Sequence, residues 1–304
     1  MALVVAALAT MIISGLFWRQ FVLVRTIENQ QLTSQSRLLL RGALDWARSI
    51  LREDAAHTTT DALNEPWAQP LAETRLDQLG ESSALASQAS MSGSIEDAQS
   101  RLNLHNLARA DCSPDELQRA VLASLVSELS LPEPTADLIS TYVVQTCARG
   151  AAGAPTGAPG APNSSTASPL PLVFPEDVAR VPGLDPAVAP RLAPYVVMLD
   201  ASTPVDFNTA SAEVIAAEIA LPLSDARGLV ADRDRTPFVN TGDIQNRLRG
   251  RGNFSALNVS VSSNYFFIRG EIKLQRADTR MEALVKRAAP GAPGPVEVLW
   301  EREL

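Results

Sequence analysis

The sequence predicts an α+β protein: a long N-terminal helix packed on an antiparallel sheet, with a large inserted all-α domain. Three observations predict it. An apolar run without charge, Ala2 to Trp18, continues past Arg19 with no proline before Asp54 and only one glycine, Gly42. Apolar and polar positions alternate from Tyr265 to Leu274 with a period of two. Between Asn103 and Ser255 the chain carries helix starts and short helical patterns. A helix before the strands and an insert between them give a two-layer body with one sheet face covered.

The first element is one helix with two characters. As a helix, Ala2–Trp18 spans about 26 Å, and Phe21, Val22 and Leu23 bring it close to the ~30 Å hydrocarbon core. A cleaved secretory signal and a buried core helix are the alternatives. The first would show a basic start and a small-residue cleavage site before a polar sequence, and neither is present. Leu8, Ile12, Leu16, Phe17, Phe21 and Val24 are the residues expected to face lipid or a partner helix. Beyond them the helix is predicted to run on into water, about 50 residues in all. Leu39, Ala43, Trp46 and Ile50 recur at helical spacing and are expected to lie on the sheet.

The sheet is read from both ends of the chain. Residues 94–104 predict two short strands around a polar turn at Asp97–Ser100. Residues 265–274 predict a strand, Asp278-Thr279 a turn, Arg280–Arg287 the returning strand, and Pro295–Trp300 a last one. Within the insert, Ser113-Pro114-Asp115-Glu116 has serine as N-cap, proline at the first helical position and an acid three residues on, predicting a helix to about Ser130. A second helix is predicted from Pro134 to about Ala148. Cys112 precedes the first helix and Cys147 ends the second, so a disulfide and two separate buried thiols are both compatible with the pattern; an oxidising compartment favours the bridge. Residues 151–175 are rich in proline, glycine and alanine and carry no charge before Glu176, which predicts a linker.

After the linker, short helices are predicted at Pro186–Leu192, Ser211–Ala217, Asp225–Ala231 and from Thr241. With Phe207-Asn208-Thr209-Ala210 before them and Thr236-Pro237-Phe238 between them, they follow the pattern of helix-hairpin-helix or SAM-like units. In DNA-binding versions such a hairpin offers backbone N–H groups to phosphate. Here the turn is Leu221-Pro222-Leu223-Ser224, where proline lacks a donor. Residues 206–249 hold seven acids and five arginines, which argues for a packing module. The predicted organisation is a transmembrane part at 1–24, the first part of the body at 25–104, the insert at 105–255 and the closing strands at 256–304.

Composition narrows the function. The 304 residues include 34 acidic and 26 basic side chains, a net charge of −8 that disfavours a dedicated nucleic-acid binder. Two cysteines and two histidines exclude a multi-ligand zinc centre or an iron–sulfur cluster of the usual kind. The sequence contains no G-x-S-x-G, H-E-x-x-H or Walker motif. His57 and His105 read as structural or surface residues, and Glu96/Asp97 and Asp232/Asp234 as solvated turns and helix faces. No enzyme activity is expected.

Taken in order, several segments resemble one family. They are the apolar start running into Trp18-Arg19-Gln20, the Ala43–Arg48 stretch with Leu51–Asp54, Ile95-Glu96-Asp97-Ala98-Gln99-Ser100-Arg101-Leu102-Asn103-Leu104-His105-Asn106-Leu107, Phe207–Ala210, and Ser262-Ser263-Asn264-Tyr265-Phe266. Together they resemble the K-class minor pseudopilins of type II secretion systems (the GspK family). The resemblance implies a pilin-like fold and a non-enzymatic role at the tip of a periplasmic pseudopilus, helping to start its assembly and the export of folded proteins across the outer membrane. It implies an inner-membrane anchor with the C-terminal domain in the periplasm. Implied partners are the I, J and H classes of minor pseudopilin and the inner-membrane secretion platform. Prepilin peptidase joins them if a basic leader precedes Met1. K-class members usually lack the glutamate that other pilin-type subunits carry at the fifth mature position; here the first acid is Glu28. No cofactor is assigned. Calcium is possible by resemblance, with Asp200, Asp206 and Asp278 as oxygen ligands by type only and without EF-hand spacing. The alternative is a membrane-anchored helix-hairpin-helix DNA-binding protein of the competence type.

Overall fold

Ala2–His57 forms one uninterrupted α-helix, α1, which at ~1.5 Å per residue is about 84 Å long. The computed structural model describes residues 1–79, 86–151, 169–289, 291–292 and 294–304. The predicted linker at 151–175 lies mostly outside the described residues. After α1 come β1 (Leu71–Arg75), β2 (Ala89–Asp97) and β3 (Leu102–Asn103), then helices α2 (Glu116–Glu128), α3 (Pro134–Ala151) and α4 (Val188–Leu192). Short strands β4 (Val196–Val197) and β5 (Val205–Asp206) precede α5 (Ala212–Glu218), α6 (Leu223–Arg235) and α7 (Thr241–Leu248). The chain closes with β6 (Val259–Ser260), β7 (Tyr265–Leu274), β8 (Ala277–Lys286) and β9 (Glu297–Glu303).

The main sheet is antiparallel in the order β1-β2-β7-β8-β9. Its central strand places alternate side chains on opposite faces. Phe266, Ile268, Ile272 and Leu274 face α1, while Tyr265 and Phe267 face Val197 and Leu199 of the insert. The start of β7 is therefore buried on both faces. Ile95 lies opposite Ile268, and Gly93 opposite Gly270. Gly93 is required by close approach, since a Cβ there would meet the Arg269 carbonyl oxygen at 2.6 Å; one at Gly270 would press on Leu40 Cδ2 at 3.2 Å.

The structure corrects several sequence expectations. The stripe of α1 that is buried on the sheet is Leu32, Ser36, Leu40, Leu44, Ala47, Leu51 and Ala55. Leu39, Ala43 and Ile50 flank it, and Trp46 is exposed. Neighbouring helix positions lie ~100° apart, and α1 is apolar on both stripes, so only the sheet decides which one is central. The leucine stripe lies over the sheet, with Leu40 above Gly270. The β7–β8 turn is Gln275-Arg276, with Gln275 at φ +53° and Leu274 opposite Ala277, so Asp278 and Thr279 are already in β8. The segment after Ser100 does not return to the main sheet; β3 pairs in parallel with β4. The N-cap of α2 is Asp115, which accepts from the N–H groups of Leu117 and Gln118. Ser113 is instead held in the preceding turn, its hydroxyl donating to Asp111 at 2.6 Å and its carbonyl accepting from the N–H of Arg109.

The insert occupies the whole connection between the adjacent strands β2 and β7 and has its own core, which includes Leu104, Leu122, Leu125, Ile139, Leu192, Phe207, Ile215 and Phe238. Cys112 and Cys147 are joined by a disulfide, with Cα atoms 5.5 Å apart.

Candidate functional site

Two features set this molecule apart from an ordinary α+β domain: a bare apolar rod at one end and a clamped helical insert at the other. On the rod, Leu8, Ile12, Leu16, Phe17, Phe21 and Val24 are each more than half exposed, from 52% at Val24 to 67% at Phe17. No α1 residue before Leu32 is buried. Apolar side chains point in all directions, and the most apolar 18-residue stretch has a mean hydropathy of 1.9. Such a surface is stable in hydrocarbon or against other apolar helices, not in water. Its polar Thr10 hydroxyl is satisfied within the helix by the Ala7 carbonyl at 2.9 Å.

The rod meets the body at Glu28 and Asn29. Arg276, at the tip of the β7–β8 hairpin, donates to Glu28 at 3.0 Å and to Asn29 at 2.7 Å. Arg37 donates to Glu303 of β9, and Arg48 to the Val296 carbonyl. The hairpin thus points toward the rod, and the Tyr265 end of β7, with the insert, lies at the far end.

At that far end the motif around residues 97–106 ties the insert to the sheet through side-chain amides. Gln99 donates to the Pro204 carbonyl at 3.1 Å and accepts from the Asn264 N–H at 2.7 Å. Asn103 donates to the Ala201 carbonyl and accepts from the N–H groups of His105 and Leu199. Asn106 and Thr203 exchange two bonds. A second clasp explains the spacing of Asn208 and Phe238: the Asn208 amide accepts from the Phe238 N–H at 2.8 Å and donates to its carbonyl at 2.9 Å. Buried Arg233 donates to the carbonyls of Phe207 and Ala210. On the back of the sheet, Arg101, Glu96, Arg269, Glu282, Arg302 and Glu176 alternate in sign and run from β2 across to the insert.

The residues missed by sequence reasoning are the buried charges. Arg287 pairs with Asp54 at 2.6 Å and with both oxygens of Asp61, joining α1, the α1–β1 connection and the end of β8. Burial pushes the Asp61 carboxyl up to about 7 against the pull of Arg287. Asp54, Asp61 and Glu65 are close enough together to share a cation, but the guanidinium already occupies that centre and Glu65 accepts from the Trp67 indole at 2.7 Å. The residues do not fit calcium there. Asp200, Asp206 and Asp278 are not brought together either. Asp200 accepts from the Tyr265 hydroxyl and from Lys286, Asp206 is buried in β5, and Asp278 sits at the opposite end of β8. His57 is exposed and contacts the Glu53 carbonyl, and the backbone N–H of His105 donates to Asn103.

Two family models, each described as type II secretion system (T2SS), protein K, match residues 100–201 and 205–262. The type II secretion system protein K of Pseudomonas aeruginosa is 27% identical over 314 residues, covering 98% of this chain and 89% of that protein. Among solved structures, a chain of the GspK-GspI-GspJ complex from the enterotoxigenic Escherichia coli type 2 secretion system superposes with a TM-score of 0.70 at 21% identity. That likeness covers 91% of this chain and 98% of the other.

Proposed function

The chain belongs to the type II secretion system protein K family, the two models together matching more than half of it, and on that premise we propose that it is the minor pseudopilin at the tip of the pseudopilus. The observation that carries the tip assignment is the placement of the insert. It stands at the end of the body away from the apolar rod, where the next subunit of a filament would otherwise stack. The rod anchors the chain in the inner membrane before assembly and packs among partner rods afterwards, with the body in the periplasm. The protein is a non-enzymatic assembly component.

Its partners on this reading are the I and J classes, which share a complex with the relative from Escherichia coli, then the H class and the inner-membrane platform. Helices α5 and α6 are read as a helix-hairpin-helix or SAM-like packing unit rather than a phosphate binder. Leu221 in their turn is buried, Pro222 lacks an N–H, and three nearby arginines are matched by acids: Arg227 by Glu213, Arg247 by Asp243 and Arg251 by Asp225. The test is co-purification of the full chain in detergent with I- and J-class pseudopilins, together with loss of secretion on its deletion. Normal secretion without the chain overturns the reading, and salt-sensitive DNA retention in its place would favour the competence-type alternative.

A further inference from the structure

Two buried carboxyl groups meet where the insert joins the sheet. Asp97 ends β2 and Asp206 ends β5; the Thr209 hydroxyl spans them, 2.5 Å from Asp97 Oδ2 and 3.3 Å from the Asp206 carbonyl oxygen, and the two buried carboxyl groups interact with each other. Asp97 has a donor on each oxygen: the Gln99 N–H reaches Oδ1 at 2.7 Å and the Thr209 hydroxyl reaches Oδ2 at 2.5 Å. Asp206 is poor in donors. Its Oδ1 accepts from the Asn208 N–H at 2.8 Å, while its Oδ2 is buried and meets no donor among the described residues. Two carboxylates have only acceptors, so a bond between them requires a proton. The acid with fewer donors is the one that keeps it.

The surroundings agree. Asp61, from the α1–β1 connection, adds negative charge beside the pair. Arg287 is engaged by Asp54 and Asp61. Arg233 of α6 acts on Asp206 only through space, its donors being directed at carbonyls and Asp234. Arg101 acts on Asp97 from the back of the sheet while paired with Glu96. Burial and the charges of Asp97 and Asp61 hold the Asp206 carboxyl well above the ordinary carboxylate range.

We propose that Asp206 remains protonated at neutral pH and donates through Oδ2 to Asp97, so that a single proton latches the insert to the far end of the sheet. Removing that proton places two like charges in contact in a dry site. The seating of the insert is therefore sensitive to alkaline conditions, and an asparagine at 206 mimics the latched state by offering an N–H in place of the O–H.

The experiment uses the full chain in detergent micelles with aspartate labelled at Cγ with carbon-13. At neutral pH the spectrum should contain a protonated-aspartate resonance that D206N removes and that D61N leaves in place. If the resonance removed by D206N belongs to an ionised carboxylate at neutral pH, the proposal is overturned. Thermal unfolding of D206N should match that of the original protein below the Asp206 titration midpoint. Above it D206N should become the more stable; parallel curves on both sides of the midpoint contradict the latch. Should D206N fail to fold, the unsubstituted protein still decides, because the absence of any protonated aspartate at neutral pH rules the proposal out.

Discussion

The two halves of α1 share one helical backbone and differ in everything around it. In the first half, every residue before Leu32 is at least partly open, and apolar groups point outward on all sides. In the second half one stripe is buried on the sheet, and Arg37 and Arg48 beside it are tied to Glu303 and to the Val296 carbonyl. Helical propensity does not distinguish the halves; what each half rests on does. The first is matched to lipid or to other rods, the second to this sheet.

Arg287→Ala should give the largest effect, because it strands two acids behind the clamped half while leaving the rod untouched. A loss of about 3–5 kcal/mol is expected for breaking a buried pair, read by denaturant unfolding of the full chain in detergent, with membrane attachment unchanged. Unaltered unfolding would show that the clamp does not depend on the buried ion pair. Leu51→Ala and Leu16→Ala form the sharpest contrast: the same deletion should cost about 2–5 kcal/mol at the fully buried Leu51 and leave unfolding of the body unchanged at Leu16. Equal costs would erase the distinction between the halves.

Ile12→Asp should act in the opposite sense. Its expected penalty is about 2.5–3.5 kcal/mol on membrane insertion, seen as chain released from the membrane fraction, with normal unfolding of the water-exposed body. The smallest effect on this comparison is a control in the insert, whose core is separate from the one beneath α1. Burial pushes Glu218 of α5 up to about 7. A folded-state value raised above the unfolded one means that this group's stabilising contribution is complete below about pH 4 and is lost as pH rises through about 7. Glu218→Gln should flatten that part of the pH–stability curve by roughly 3 kcal/mol, leaving α1 as it was; an unchanged slope would place the proton uptake elsewhere.

Regular elements were legible where one periodicity dominated. The alternation of residues 265–274 marks β7, and the apolar run without charge or proline marks the rod. The centre of the packed stripe was not legible, because α1 offers two apolar stripes and the strands that cover one of them, β7 and β8, lie near the other end of the sequence. β1 was missed: Leu71-Ala72-Glu73-Thr74-Arg75 is a short edge strand with too little apolar character to stand out. The motif around residues 97–106 was visible as sequence, but its purpose was not, since Gln99, Asn103 and Asn106 bind carbonyls that come from a distant stretch of the insert. Buried acids such as Asp61, Asp97 and Asp206 look like solvated turns until their surroundings are seen, because burial is a property of the whole fold and not of neighbouring letters.

Splicing the insert between neighbouring strands also imposes an order of events. The β2–β7 pairing closes a loop containing all of residues 98–264, an entropic cost that a chain arriving from its N-terminus cannot offset until β7 has been delivered. The insert's own core is already present in the chain before then, so it is positioned to collapse first and shorten the effective loop. Until β7, β8 and β9 arrive, the watery half of α1 has no platform, and its leucine stripe is open to any apolar surface it meets. The closing strands therefore set the moment at which the subunit stops being adhesive along its whole length and keeps only the rod as its sticky end.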